Sequence, residues 1–292
     1  MNKNSIYGAI IGDIAGSHLE VAEIISKQNQ TKRDYFERTK ILSPTAPIFT
    51  QDCSLTDDSV LTIAIADALL GEKDYEQKLK TYGKKEINMG QDKYGRSRFG
   101  KNFSEWIYGD FQGDSYGNGC AMRISAIGYA FDTLEKTLAE SDKATIPSHN
   151  HPDSIACARA TSGAIFMARK GYSTQEIKQF VEKTLETKIE YDIEDLRHNY
   201  IFTSRAMNSV PQAIYCFLIS NNFEQTLKNA LSIGGDVDTI GAIACSIASA
   251  YYDIPEDILK QAKQFISPEY DNVLTQFSQK YLEVSDENFR GR

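Results

Sequence analysis

Positive charge is in short supply: 32 Lys and Arg face 40 Asp and Glu, a net charge of −8. Such a chain lacks the basic face that tracks a phosphate backbone, so general nucleic-acid binding is not expected, although a local basic pocket stays open. The five cysteines, Cys53, Cys120, Cys157, Cys216 and Cys245, are widely separated and form no C-x-x-C pair. Cys157 and Cys245 sit among small apolar residues, where a thiol behaves as a small hydrophobe. A reducing, cytoplasmic setting is the expectation. No uncharged apolar run reaches the ~18 residues of a membrane helix. The N-terminus has no basic stretch leading into an apolar core, so no signal peptide is expected. Alternating β-branched runs between hairpin turns are missing, as are internal repeats and low-complexity linkers.

What remains is helical. At 292 residues, 41% hydrophobic and 25% charged, the chain has ordinary globular composition and can bury a core without staples. Gly8, Gly12 and Gly16 recur every four residues in a helical pattern over 5–19, which predicts close backbone approach by a neighbouring helix. Apolar periodicity predicts further helices over 60–70, 121–133, 154–170, 174–187, 208–219, 223–231, 239–252, 256–266 and 270–282. Two long stretches, 84–119 and 188–204, read as irregular, and loops of that length are commonly functional. The expectation is an all-α, compact orthogonal helical bundle forming one domain over 1–292.

Two acidic clusters open helices: Thr56-Asp57-Asp58-Ser59 and Gly234-Gly235-Asp236-Val237-Asp238-Thr239. The plain account of the first is an N-cap threonine with carboxylates favoured by the helix dipole. Adjacent aspartates also diverge by ~100° around a helix, so they reach two different ions. Four carboxylates and two threonine hydroxyls make an all-oxygen donor set suited to Mg²⁺, Mn²⁺ or Ca²⁺, and two divalent ions would balance the four charges. Two clusters at two helix starts therefore read as halves of one metal site.

Gly117-Asn118-Gly119-Cys120-Ala121-Met122-Arg123 is a small-residue loop whose N–H groups suit a diphosphate; it lacks a Walker Lys-Ser/Thr, and a plain turn is the alternative. In Ser148-His149-Asn150-His151-Pro152-Asp153, no nearby cysteine supports zinc, so His149 reads as a substrate contact. Glu20, taken alone, reads as a surface acid near a helix end.

In this order, Gly-Asp-Ile-Ala-Gly at 12–16, Thr-Asp-Asp-Ser at 56–59, Gly-Asn-Gly-x-x-Met-Arg at 117–123, Ser-His-Asn-His-Pro at 148–152 and Gly-Gly-Asp-Val-Asp-Thr at 234–239 resemble the ADP-ribosylglycohydrolase family. The resemblance runs from about Ile6 to Tyr252. It implies an all-α domain with two Mg²⁺, or Mn²⁺, below an ADP-ribose cleft. The implied ligands are Thr56, Asp57, Asp58, Asp236, Asp238 and Thr239. The same resemblance puts Gly117, Asn118 and Gly119 at the diphosphate, has His149 touch the ligand, and makes Glu20, Asp57 and Asp238 the catalytic carboxylates. Glu20 matches a glutamate of the branch resembling the serine-ADP-ribose and O-acetyl-ADP-ribose hydrolases. Ser59 departs from the more usual threonine, and the stretch 203–211 is less polar than the family pattern, which bears on acceptor choice. The implied reaction is Mg-dependent hydrolysis of the glycosidic bond between the distal ribose and an acceptor: a modified protein, a nucleic acid or O-acetyl-ADP-ribose. The alternative is a non-catalytic ADP-ribose-binding or crystallin-like structural protein.

Overall fold

The computed structural model describes residues 6–92, 95–109 and 113–283, so the extreme ends of the expected 1–292 domain, and the first residue of the 5–19 helix, lie outside the described residues. Among the described residues there is no strand, only isolated bridges pairing Asp114 with His149 and Gly117 with Arg205. The chain is all-α, as its periodicity predicts.

Sixteen α-helices are described. The first eight are α1 (Tyr7–Gln28), α2 (Tyr35–Thr39), α3 (Asp57–Leu70), α4 (Tyr75–Asn88), α5 (Lys101–Tyr108), α6 (Gly119–Met122), α7 (Ser125–Ala130) and α8 (Leu134–Thr145). They are followed by α9 (Pro152–Arg169), α10 (Thr174–Leu185), α11 (Ile193–Asn199), α12 (Val210–Leu218), α13 (Phe223–Ser232), α14 (Val237–Tyr251), α15 (Glu256–Ala262) and α16 (Pro268–Ser278). Helices α3 and α14 are apolar nearly all round, the pattern of a helix surrounded by others, and both are buried almost throughout. Starts are capped as the sequence allows: Thr56 on the N–H of Asp58, His151 on that of Asp153, and Ser173 with Glu176 as a capping box.

The glycine spacing of α1 has a direct reading. A Cβ at Gly8 would collide with Ser249 and the carbonyl of Cys245, and one at Gly12 with the backbone of Gly241; at Gly16 it would stand 2.5 Å from the Cα of Asp238. The two helices thus lie backbone against backbone along their length, and α14 returns the fit, since Gly241 faces Gly12.

Several expected boundaries were not what the chain adopts. The single helix expected over 121–133 is two pieces, α6 and α7, broken at Arg123 and Ile124. Arg169 takes the carbonyls of Tyr129 and Phe131 near the end of α7, and Gly128 lets it press against Ile165. Helix α4 was not anticipated, and the stretches read as irregular contain α5 and α11 as well as the end of α4. Nor was α8, whose buried face carries Thr137, Glu140, Ser141 and Ala144. A polar inner face gives no apolar stripe to detect. Glu140 is satisfied there by the Tyr75 hydroxyl at 2.8 Å and by Lys143 at 2.8 Å.

The glycine contact predicts a sharp contrast. Gly12→Ala should cost about 3 kcal/mol or more, at the upper end of overpacking penalties, and lower Tm by at least about 6 °C. Gly100→Ala, at φ −60° with open space around it, should shift Tm by less than about 2 °C. Thermal unfolding of both variants reads the difference directly.

Candidate metal centre and cleft

Three segments meet at one end of the α1–α14 contact. Helix α1 brings Asp13 and Glu20, the start of α3 brings Thr56, Asp57 and Asp58, and the start of α14 brings Asp236, Asp238 and Thr239. The turn before α14 is held by Gly234 and Gly235, both at φ +81°, the left-handed region that favours glycine. Behind it lies Arg38, whose Nη1 donates to the carbonyls of Tyr200 at 3.3 Å and Ile233 at 3.5 Å and whose Nη2 donates to that of Arg197. A side chain at Gly235 would run into the Tyr200 ring. The bend and its backing aim the next two aspartates inward.

The carboxylates form two overlapping groups. Asp13, Asp58 and Asp238 present oxygens within 4.8 Å of one another, as do Glu20, Asp236 and Asp238. Asp238 belongs to both. Asp57 is half-buried, lines the same cleft and falls in neither group. Thr56 donates through Oγ1 to Asp13 Oδ1 at 2.6 Å, and Thr239 lines the cleft beside Asp238.

Asp13 is the residue that motif reasoning passed over as a ligand-sphere group. It is fully buried and accepts from the N–H of Thr56 and of Ser59, each at 3.1 Å, and from the Ser59 hydroxyl. The signal was present: an aspartate set in the glycine stripe of an otherwise apolar helix. Ser59, noted only as a departure, thus ties α3 to α1. Glu20 is not a surface acid, because its side chain is 14% exposed and Arg96 Nη1 donates to its Oε2 at 2.8 Å. Asp92 in turn accepts from Arg96 Nε at 2.8 Å. The site therefore holds two more carboxylates than the four whose charge two divalent ions would balance, with Arg96 offsetting one of them.

Burial raises the pKa of every aspartate in this set. Asp13 is pushed up to about 6 despite its hydrogen bonds from Ser59 and Thr56. Asp236 is pushed up to about 7 by burial and by Glu20, against the hydrogen bond from Asn118 Nδ2 to its Oδ2 at 2.7 Å. Asp57, Asp58 and Asp238 are raised well above the usual aspartate value by burial and then by neighbouring carboxylates, Glu20 foremost for Asp57 and Asp238 and Asp13 for Asp58. Asp58 Oδ1 is buried with no hydrogen-bond partner. Crowded hard oxygens, mutual repulsion and an orphaned buried carboxylate oxygen together fit divalent cations of the Mg²⁺ or Mn²⁺ kind.

A cleft of about 820 Å³ opens above these groups. Gly117, Asn118 and Gly119 form one wall, pinned by Asn118 N–H donating to Ser204 O at 2.8 Å, and His149 stands behind them. Arg96, Arg98, Phe99 and Phe103 line the facing side. Asn118 couples the two halves, since its backbone belongs to the loop and its amide holds Asp236.

Folded-state pKa values above the unfolded 3.8 mean stability present at low pH and lost as pH rises through the raised values. In EDTA, Tm should therefore fall as pH rises from about 4 to about 8, and millimolar Mg²⁺ should restore it at the upper end. Asp58→Asn should flatten that slope. A Tm that climbs over this window in EDTA, or ignores Mg²⁺ at pH 8, would contradict the cation-demanding site.

Comparison with known proteins identifies the family and the fold. The family model for ADP-ribosylglycohydrolase matches residues 3–290. ADP-ribosylhydrolase ARH3 from Bos taurus is 24% identical over 314 residues, spanning 87% of this chain and 85% of that protein. The Mus musculus protein of the same name is 24% identical over 330 residues, spanning 90% and 87%. A solved structure described as an ADP-ribosylglycohydrolase-related protein complex superposes with a TM-score of 0.62 at 15% identity, covering 95% of this chain and 99% of that one, and so shares the fold. Matched by that model over nearly its whole length, the chain belongs to the ADP-ribosylglycohydrolase family.

Proposed function

We propose that the protein is a Mg-dependent hydrolase that cleaves the glycosidic bond between the distal ribose of ADP-ribose and an acceptor, on a protein, a nucleic acid or O-acetyl-ADP-ribose. The observation that carries this reading is the pair of carboxylate groups sharing Asp238 at the floor of a cleft whose wall is the Gly117–Gly119 loop. Asp13, Asp58, Asp236 and Asp238, with Thr56, Asp57 and Thr239 beside them, would hold two divalent cations. When bound, these supply charge neutralisation and Lewis acidity. Five buried cysteines, none of them in a disulfide, support a reducing, cytoplasmic setting.

The residues divide the remaining work. The Gly117–Gly119 loop and His149 receive the diphosphate, which leaves the distal ribose over the carboxylates. Cleavage develops positive charge at the anomeric carbon, and Asp57 and Asp238 face that charge. Glu20 takes the proton from the attacking water. One of its oxygens is pinned by Arg96 while the side chain keeps company with Asp236 and Asp238. Burial raises its pKa, opposed by Arg96, which moves a carboxylate toward useful basicity near neutral pH.

The deciding experiment is a turnover panel over arginine-, serine- and nucleic-acid-linked ADP-ribose and O-acetyl-ADP-ribose, with Mg²⁺ or EDTA. Release of product from at least one substrate in Mg²⁺ and none in EDTA is expected. Stabilisation by ADP-ribose without release from any substrate would instead identify a binding protein. Asp238→Asn should abolish turnover, since it removes charge from both groups at once, while the protein stays folded. Glu20→Gln preserves the acceptor for Arg96 but not the base, so kcat should fall by about 100-fold with ADP-ribose affinity retained. Near-wild-type turnover in that variant would remove Glu20 from the chemistry.

A further inference from the structure

A buried cation stands behind the Gly117–Gly119 loop. Arg123, just past the end of α6, is fully buried, and its Nε and Nη1 have no hydrogen-bond partner. Among the described residues no carboxylate forms an ion pair with it; its one charged-state neighbour is Cys120, a thiol pushed up to about 11 by burial and therefore neutral. Nη2 is the engaged nitrogen, donating to Ala144 O at 3.3 Å and to Ser148 Oγ at 2.7 Å. Ser148 Oγ lies 2.8 Å from Nδ1 of His149.

The direction of this chain fixes the imidazole. A guanidinium only donates, so Ser148 Oγ accepts from Arg123. The hydroxyl then has one hydrogen to give, and among the described residues its acceptor is His149 Nδ1. With Nδ1 accepting, the ring proton resides on Nε2. That nitrogen faces the loop: it would lie 3.1 Å from a Cβ built on Gly119 and 3.7 Å from one on Gly117. The backbone beneath the ring is held by the His149 N–H donating to Thr145 O at 2.9 Å and by the bridge to Asp114. A side chain at 119 would crowd the donor, so glycine there leaves it room to reach a ligand.

We propose that Arg123 and Ser148 are positioning residues that lock His149 as a neutral Nε2–H donor aimed at a diphosphate seated on the Gly117–Gly119 loop. The aim at a diphosphate rests on the ADP-ribose reading above; the lock itself does not. Burial, then the Arg123 charge, lower the pKa of His149 well below the usual imidazole value, consistent with a ring that stays neutral. Arg123 thereby acts through Ser148 on the ring that faces the loop. Among the described residues its charge has no carboxylate partner, so an anion on the loop would offset a buried cation while His149 supplies the hydrogen bond.

The test reads the ring before it reads binding. Histidine-selective ¹⁵N labelling of the metal-free protein, with His149 assigned by loss of its signal in His149→Gln, reports the tautomer. The Nε2–H form is expected, persisting to about pH 5. Ser148→Ala should yield mixed tautomers and weaken ADP binding in EDTA by about tenfold, Ser148→Thr should restore both, and Arg123→Met should match Ser148→Ala or exceed it. Metal-free conditions keep Mg²⁺ chelation by ADP out of the measurement, and Ser148→Ala serves should Arg123→Met fail to fold. A wild-type ring protonated on Nδ1 overturns the lock whatever binds. An Nε2–H ring with ADP affinity unchanged in Ser148→Ala overturns the aim at the diphosphate. Failure of wild-type protein to bind either ADP or ADP-ribose would overturn the ADP-ribose reading and that aim together, with the tautomer still deciding the lock.

Discussion

Everything in this molecule is referred to one contact, the bare backbone of α1 against the bare backbone of α14. Gly12 and Gly241 meet with no side chain between them, and Gly16 lies against the Cα of Asp238. Because the helices approach so closely, Asp13 and Glu20 on one come within carboxylate distance of Asp236 and Asp238 on the other. A single methyl group in this seam would push apart two helices that are both buried along it. The interior is close-packed, so the displacement would pass to the site instead of being absorbed locally. Glycine's cost in a helix is borne here to set a distance.

That distance creates an electrostatic problem. Asp13, Asp58 and Asp238 converge in a space where burial raises the pKa of each and neighbouring carboxylates raise those of Asp58 and Asp238 further. The hydrogen bonds from Thr56 and Ser59 to Asp13, and from Asn118 to Asp236, offset only part of the burial penalty. A fold selected for stability alone would place apolar side chains there. Perturbed carboxylates gathered in a cleft are the usual mark of a functional site, and bound divalent cations would remove the repulsion that the protein leaves standing. The same reasoning separates Asp57 from its neighbours. It sits at the same helix start but points into the cleft outside both carboxylate groups, which suits a residue facing substrate charge better than one enclosed by ligands.

The all-α class and the glycine seam were legible in the sequence, because each leaves a periodic trace: apolar residues at helical spacing and Gly8, Gly12, Gly16 four apart. The acidic clusters were legible for a similar reason, as carboxylates placed just where apolar helices begin. What stayed hidden depended on long-range partners. Helix α8 turns Thr137, Glu140 and Ser141 inward, with Glu140 held by Tyr75 and Lys143, so it carries no apolar stripe. Glu20 looked like surface because nothing local reveals that Arg96, far along the chain in a stretch read as irregular, folds back onto it. Asp13 was visible as a letter in a motif, but its role shows only once Thr56 and Ser59 arrive as its donors.

The two ends of the cleft carry opposite signs, and that polarity argues for the kind of molecule it takes. At one end stand the carboxylates of α1, α3 and α14; at the other, behind the Gly117–Gly119 loop, Arg123 holds a buried charge that no carboxylate among the described residues pairs. Asn118 spans the gap, its main chain part of the loop and its amide on Asp236. A ligand complementary to such a field is anionic along its middle and becomes cationic at its reacting end. ADP-ribose undergoing cleavage has that form: the diphosphate is fixed negative charge, and the anomeric carbon develops positive charge as the bond to the acceptor breaks. Charges fixed in place before the reaction need no reorganisation during it, so binding energy gathered at the loop is directed to the carbon over the carboxylates. On this argument the buried arginine and the crowded aspartates, each costly alone, are two parts of one device.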